Sequence, residues 1–192
     1  MPQAIIFDVE ATDKNDAVII EAASLDVTSL NPFEVGNPWV QRYNPGKPIS
    51  LGALATHHIM DEELVNCPAS SSFRLPAGTK YLIGHNIDFD WVAIGSPEVK
   101  RICTLALARS LWPELDSHTQ SALLYNFERA TAREQLRDAH SALADVWICS
   151  KILDQIITLL RPASLDALWE MSEKARIPTI MPFGKHKGEL IS

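Results

Sequence analysis

The sequence has no long hydrophobic run and no basic N-terminal segment. No stretch of about eighteen consecutive apolar residues occurs, so no membrane-spanning helix is expected. Residues 1–4 lack the basic start of a secretory signal peptide. These two absences predict a cytoplasmic protein without a membrane partner.

Cysteines are also few. The chain contains three, Cys67, Cys103 and Cys149, and they lie far apart. An odd number without paired metal-ligand spacing argues against a disulfide framework and against a zinc knuckle. We therefore expect three buried thiols.

Basic residues are outnumbered, because 17 Lys and Arg face 24 Asp and Glu, for a net charge of −7. A net negative charge ordinarily argues against nucleic-acid binding, since the affinity of a protein for nucleic acid depends largely on contacts between basic side chains and phosphates. The argument weakens if some acids are metal ligands, because divalent cations then supply positive charge where a phosphate must sit.

Hydrophobic patterning predicts strands first and alternating strands and helices afterwards. Three predicted strands, joined by short connections into an antiparallel meander, cover residues 3–10, 18–27 and 39–43. Two short buried strands follow at 81–83 and 101–103. The predicted helices cover 52–58, 61–64, 89–94, 105–112, 119–129, 141–160 and a stretch from 164 onward. This order predicts a mixed α/β sheet with flanking helices.

Asp8 and Glu10 lie on the first predicted strand, directly after the apolar run 5–7. Side chains two positions apart on a strand share a face, so these carboxylates project together. Two carboxylates held side by side repel each other unless a cation lies between them. The alternative is a solvent-facing strand with two acids of no function, and the apolar run disfavours it.

A second acidic segment follows the buried strand at 81–83 and the turn at Gly84. Asp90 begins the next helix there, and loops at strand ends are where sheet proteins commonly place function. Asp88 competes with it but ranks second, because in a short helix it more easily faces solvent. The alternative is an acid that only complements the helix dipole.

The third segment contains His140 and Asp145. Five positions on a continuous helix separate two side chains by roughly 140°, so these residues converge only if His140 precedes the helix. The residues at 138 and 139 permit a loop there. The alternative is a histidine at the helix start and an Asp145 that forms a surface ion pair.

Together these segments resemble the motifs of the DEDDh exonucleases, which read Asp-x-Glu, His-Asn-x-x-Phe-Asp, and His-x-Ala followed by Asp. The matching residues are 8–10, 85–90 and 140–145, and the resemblance spans about residues 3–160. It implies a ribonuclease-H-like sheet. One departure is Ala11, which precedes Thr12 where the family commonly has Thr directly after the first Glu.

The resemblance implies a two-metal site that hydrolyses nucleic acid from the 3′ end to the 5′ end and releases nucleoside 5′-monophosphates. The implied cofactor is Mg²⁺, bound as two ions, for which Mn²⁺ can substitute. The implied ligands are Asp8, Glu10, Asp90 and Asp145, with Asp8 shared between the ions. His140 is the implied general base, since imidazole has an unperturbed pKa of about 6.5.

Five further residues are expected beside the substrate from the family pattern: Ala11, Thr12, His57, His85 and Asn86. For His85 we expect a structural role, with its ring bonded to backbone in the turn. Arg129, Arg133 and Arg137 recur every four residues. They form either a phosphate track or a solvated face in which Glu134 pairs with Arg137.

The expected partner is DNA, either single-stranded or double-stranded with a 3′ end. This preference rests on residues 102–113 and 183–188, which resemble a DNA-directed member of the family. An RNA-directed exonuclease shares every motif, so RNA stays an alternative substrate. A catalytically inert nucleic-acid-binding module and a structural metal protein are disfavoured, because all four acids and His140 are present and oxygen ligands suit magnesium.

Residues 1–161 are expected to form the exonuclease domain. Residues 162–192 are expected to form a C-terminal helix and the start of a basic extension that is cut short. The oligomeric state is left open, with a dimer among the alternatives.

Overall fold

The computed structural model describes residues 3–138, 141–177 and 185. Five strands form one sheet in the order β3-β2-β1-β4-β5. Their bounds are β1 Ala4–Ala11, β2 Ile19–Leu30, β3 Phe33–Arg42, β4 Tyr81–Gly84 and β5 Lys100–Cys103. Strands β1, β2 and β3 pair antiparallel, whereas β4 and β5 run parallel to β1. The predicted mixed sheet that begins with a meander is confirmed.

Seven α-helices are present in the described residues, at α1 Leu51–His57, α2 Asp61–Leu64, α3 Asp88–Ala93, α4 Thr104–Leu111, α5 Gln120–Gln135, α6 Ala142–Leu160 and α7 Leu165–Ala175. Short 3₁₀ turns cover Ser70–Ser72 and Leu136–Asp138. Within these ranges, no helix combines the length and the apolar character that crossing a bilayer requires.

The two faces of β1 belong to two different cores. Ile6 lies in the larger core, which α6 covers with Val146 and Ile152. Phe7 and Val9 point to the opposite face. Because side chains alternate along a strand, Asp8 and Glu10 share the Ile6 face and project toward α6. The core therefore sets which way the two carboxylates point.

Helix α7 packs against α4 and β5. Leu168 is fully buried in the larger core, and the Ser172 hydroxyl oxygen accepts a hydrogen bond of 2.8 Å from the Cys103 N–H. Residues 178–184 and 186–192, which include most of the predicted basic extension, lie outside the described residues. The division after residue 161 stays a prediction.

The third strand is longer than predicted, because β3 begins at Phe33 and not at residue 39. Pro38 lies within it, and proline normally argues against a strand since it has no N–H to donate. Strand β3 is at the sheet edge, where one side of the backbone needs no partner strand. The predicted start was wrong for this reason.

Helix α5 also extends beyond the predicted end at residue 129. It continues to Gln135 through a kink at Glu128, where φ is −130° and ψ is 47°. The Glu128 carboxylate accepts hydrogen bonds from Lys151 of α6 at 2.7 Å and from Gln135 at 2.7 Å, which joins the two segments. Arg137 lies in the following 3₁₀ turn, so the three arginines do not share one unbroken helix.

The prediction of three buried thiols is confirmed for Cys103 and Cys149 and is wrong for Cys67. All three are free cysteines, and Cys67 is only half-buried. Cys67 follows the short helix α2. Its side chain packs against a small core, which leaves it only partly covered. That core consists of Ile20, Ile49, Ile59 and Leu64.

Candidate active site

The fold brings together three acids that are far apart in sequence. Asp8 and Glu10 project from β1, and Asp145 projects from the first turn of α6, which packs across that strand. One carboxylate oxygen from each lies within 4.8 Å of the others. Ser141 caps this helix through its hydroxyl oxygen, which accepts from the Ala144 N–H at 3.4 Å. The cluster therefore depends on where α6 begins.

Asp90 approaches the same cluster from α3. Its side chain is buried, and Oδ1 accepts a hydrogen bond of 2.9 Å from the Val9 N–H on β1. Asp88 instead pairs with Arg101 and Arg176, away from the cluster. Of the two competing acids, Asp90 is the one that lines the cleft beside Asp8.

Gly84 allows α3 to come this close. A Cβ atom at this position would lie 2.8 Å from the Phe7 carbonyl oxygen and 2.7 Å from Ile87 Cδ1. Any side chain would therefore push the end of β4 away from β1 next to Asp8. The following Asn86 has φ of +72°, a left-handed conformation that asparagine tolerates better than most residues.

We expect Gly84→Ala to damage both the fold and the site. Overpacking against backbone costs about 1–3 kcal/mol, and a displaced Asp90 should lower activity at least about tenfold. Thermal unfolding and metal-dependent hydrolysis measure the two effects. Gly52→Ala in α1 is the matched control, because no atom lies within 4 Å of its added Cβ. Equal behaviour of the two variants would contradict the packing argument.

The acids raise one another's pKa values. Burial, followed by repulsion from Asp90, Asp145, Glu10 and Glu21, raises the pKa of Asp8 well above its ordinary value. Burial and then Asp145 raise the pKa of Glu10 to about 8. Burial raises the pKa of Asp90 to about 7, against the opposing effect of the Val9 N–H. A bound cation relieves this repulsion, so the site is suited to one.

These shifts predict how stability depends on pH in the metal-free protein. A carboxyl group with a raised folded pKa holds its proton longer in the folded state, so the folded state loses stability as pH rises through about 4.5 to 8. We expect the melting temperature to fall by about 5–10 °C between pH 6 and pH 8.5 without metal. Saturating Mg²⁺ should remove most of this fall. A fall of equal size with and without Mg²⁺ would contradict the prediction.

The four acids open into a cleft of about 190 Å³. The residues that line it are Asp8, Val9, Glu10, Thr56, His85, Asn86, Phe89, Asp90 and Asp145. Thr56 and Phe89 were not predicted as site residues. Phe89 lies within the second motif and could have been found there, whereas Thr56 lies on α1 and its sequence surroundings give no signal.

His85 is held at both ring nitrogens. Its Nε2 lies 2.7 Å from the His118 carbonyl oxygen, and its Nδ1 lies 3.0 Å from the Thr104 hydroxyl oxygen. A carbonyl can only accept, so Nε2 carries the proton. Burial lowers the pKa of His85 to about 4, which keeps the ring neutral. These contacts support the structural role that the sequence suggested.

The other expected substrate residues differ in their placement. Asn86 is exposed and lines the cleft. Ala11 and Thr12 are buried, and the Thr12 hydroxyl oxygen accepts from the Val18 N–H at 3.2 Å. His57 is also buried, with Nδ1 accepting from the Ile59 N–H at 3.0 Å. Its neighbour Thr56 reaches the cleft instead.

His140, the predicted general base, lies outside the described residues. Helix α6 begins at Ala142, two positions after it.

The chain resembles known nucleases along most of its length. No family model matches it. It is 27% identical over 176 residues to exodeoxyribonuclease 10 of Escherichia coli K12, which covers 91% of this chain and 77% of that protein. A structure of exonuclease X in complex with 5′ overhanging duplex DNA superposes with a TM-score of 0.73 at 26% identity, covering 88% of this chain and 99% of that one.

These matches support the resemblance to the DEDDh exonucleases that the sequence motifs indicate. Within that family the chain is similar to exonuclease X, and the shared fold confirms the predicted ribonuclease-H-like sheet. E. coli exonuclease I in complex with a dT13 oligonucleotide has the same fold, with a TM-score of 0.64 at 19% identity over 82% of this chain and 41% of that one. Asp8, Glu10, Asp90 and Asp145, the acids of the three motifs, all line one cleft here.

Proposed function

We propose that this protein is a magnesium-dependent exodeoxyribonuclease of the DEDDh type that degrades DNA from the 3′ end and releases nucleoside 5′-monophosphates. The observation that carries the proposal is the cluster of Asp8, Glu10 and Asp145, whose carboxylate oxygens lie within 4.8 Å of one another. A buried Asp90 lines the same narrow cleft.

The residues present fit divalent metal ions. All four ligands are carboxylates, which are the hard oxygen donors that Mg²⁺ and Mn²⁺ prefer. Asp8, Glu10 and Asp145 would hold one ion, and Asp90 would help Asp8 to hold a second, directly or through water. Two such ions, when bound, activate water and stabilise the charge that develops on a phosphate. They would also offset the mutual repulsion of the four carboxylates.

The remaining residues bind substrate and move a proton. His140 would accept the proton of the attacking water, in keeping with the ordinary pKa range of imidazole. Asn86 and Phe89 line the cleft, where an amide can donate to a phosphate or sugar and a ring can stack on a base. Ala11, Thr12, His57 and His85 would support the cleft through the contacts described above.

DNA is the proposed substrate, single-stranded or double-stranded with a 3′ end. The support comes from relatives, since the exonuclease X structure contains a 5′ overhanging duplex and the exonuclease I structure contains dT13. Exodeoxyribonuclease 10 is by its name a DNA-directed enzyme.

End-labelled substrates test this proposal. We expect 3′-labelled DNA with Mg²⁺ to release labelled mononucleotide from the first time point, whereas 5′-labelled DNA should shorten progressively. RNA of the same sequence should be degraded more slowly. Faster RNA degradation would favour an RNA-directed enzyme of the same family. No degradation of either polymer, combined with binding to both, would indicate an inert binding module.

A further inference from the structure

Glu21 is a buried acid beside the active site that does not line the cleft. Its exposed fraction is 5%. In the antiparallel register of β1 and β2 it lies directly opposite Glu10. Residues paired in this way project to the same side of a sheet, so Glu21 faces α6, as the catalytic acids do.

Both carboxylate oxygens of Glu21 have partners. Oε1 accepts a hydrogen bond of 3.1 Å from the backbone N–H of Ala142. Oε2 accepts one of 2.9 Å from Nε of Arg42 on β3. Because both oxygens are used in this way, Glu21 is a poor candidate for a metal ligand, and it is not part of the metal-ligand cluster among the described residues.

The bond to Ala142 meets a need of helix α6. The first N–H groups of a helix have no partner within it, and the Ser141 hydroxyl accepts from that of Ala144. Ala142 is fully buried, so water cannot supply an acceptor. Glu21 supplies it, and its negative charge also suits the positive end of the helix dipole.

The position of Asp145 depends on this same turn. Its N–H donates to the Ser141 carbonyl at 3.0 Å, so the first turn carries the Asp145 carboxylate as one unit with Ala142. Arg42 offsets the charge of Glu21 and reaches Glu63 at 2.8 Å on its outer side. Glu21 therefore joins β2, the strand next to β1, to the helix turn that brings Asp145 to Asp8 and Glu10.

We propose that Glu21 is a positioning residue that holds the N-terminus of α6, and with it Asp145, at the distance that metal binding requires. The proposal rests on the proposed function, because it assumes that Asp145 is a metal ligand. It assigns the role to the reach of the carboxylate and only secondarily to its charge. Residues that orient metal ligands typically change metal affinity about 10- to 100-fold.

Two conservative variants separate reach from charge. Glu21→Gln keeps an oxygen at the same distance and loses the charge, whereas Glu21→Asp keeps the charge and withdraws the oxygens by one methylene group. The measurement is the affinity of the full chain for Mn²⁺, determined by calorimetry. We expect the Mn²⁺ Kd to rise about 10- to 100-fold in Glu21→Asp and in Glu21→Ala, and to change much less in Glu21→Gln.

Glu128→Ala is the matched control. This substitution also removes a carboxylate that contacts α6. Glu128 accepts a hydrogen bond of 2.7 Å from Nζ of Lys151, which lies away from the first turn of the helix. Its Mn²⁺ affinity should match that of the wild type.

A Glu21→Asp variant that binds Mn²⁺ as the wild type does would overturn the proposal, and so would Glu21→Gln weakened as much as Glu21→Asp. Neither result depends on whether Glu21→Ala folds. If the predicted Mn²⁺ affinities are found but the wild type degrades no nucleic acid, the proposed function fails and the positioning role stands.

Discussion

Replacing Asp8 by Asn should abolish nuclease activity, with a fall of at least about 10³-fold. Asp8 lies close enough to the other three acids to be repelled by each of them, since Asp90, Asp145 and Glu10 all raise its pKa. Its loss removes the ligand that the two metal sites would share. The measurement is the rate of mononucleotide release at saturating Mg²⁺.

The same substitution should raise the melting temperature of the metal-free protein. It removes one buried carboxylate from a group that repel one another, so the metal-free folded state becomes more stable. The substitution therefore stabilises the fold and inactivates the site. Asp26→Asn is the matched control, because Asp26 lies on β2 opposite Ile5 and outside the cleft. Asp8→Asn with wild-type activity would refute the assignment of the metal site, and a lowered melting temperature would refute the repulsion.

Replacing His140 by Ala should lower the rate about 10²- to 10⁴-fold while Mn²⁺ affinity is retained. A general base contributes through proton transfer, so the acidic limb of the pH–rate profile should change as well. His58→Asn is the matched control, because His58 is exposed at the end of α1 with φ of 59°, a conformation that asparagine accepts. A loss of Mn²⁺ affinity in His140→Ala would make His140 a ligand or a structural residue.

The acids were predictable from sequence because their positions follow local rules. Asp8 and Glu10 share a face through strand alternation, and Asp90 follows a buried strand and a glycine turn. The structure adds the reason for the glycine, which is the contact between the end of β4 and the Phe7 carbonyl. These are features of single segments, whereas the grouping of all four acids into one site came from the resemblance to the DEDDh motifs.

Glu21 and Thr56 were not predictable in this way. Glu21 becomes part of the site only through its register opposite Glu10 and through a hydrogen bond that spans 121 positions to Ala142. Thr56 reaches the cleft because α1 packs on the small core that includes Ile20 of β2. The sequence around Thr56 gives no sign of that contact. Contacts between distant segments depend on the assembled fold, which hydrophobic patterning does not specify.

The fold shows the same division. The meander was predicted from alternation and short connections, but the start of β3 was missed because Pro38 lies in an edge strand at an irregularity of the β2–β3 register, where proline is tolerated. The end of α5 was missed because the helix is kinked at Glu128. Hydrogen bonds from Lys151 and Gln135 to the Glu128 carboxylate stabilise the helical segment beyond the kink. Strand order and tertiary contacts decide both cases.

The most direct test of the central claim compares linear single-stranded DNA with a closed circle of the same sequence, each with Mg²⁺ and with excess chelator. A metal-dependent exonuclease that requires a free end should convert the linear DNA to mononucleotides only when Mg²⁺ is present, and should leave the circle intact. Cleavage of the circle at the rate of the linear DNA, or turnover in excess chelator, would contradict the account.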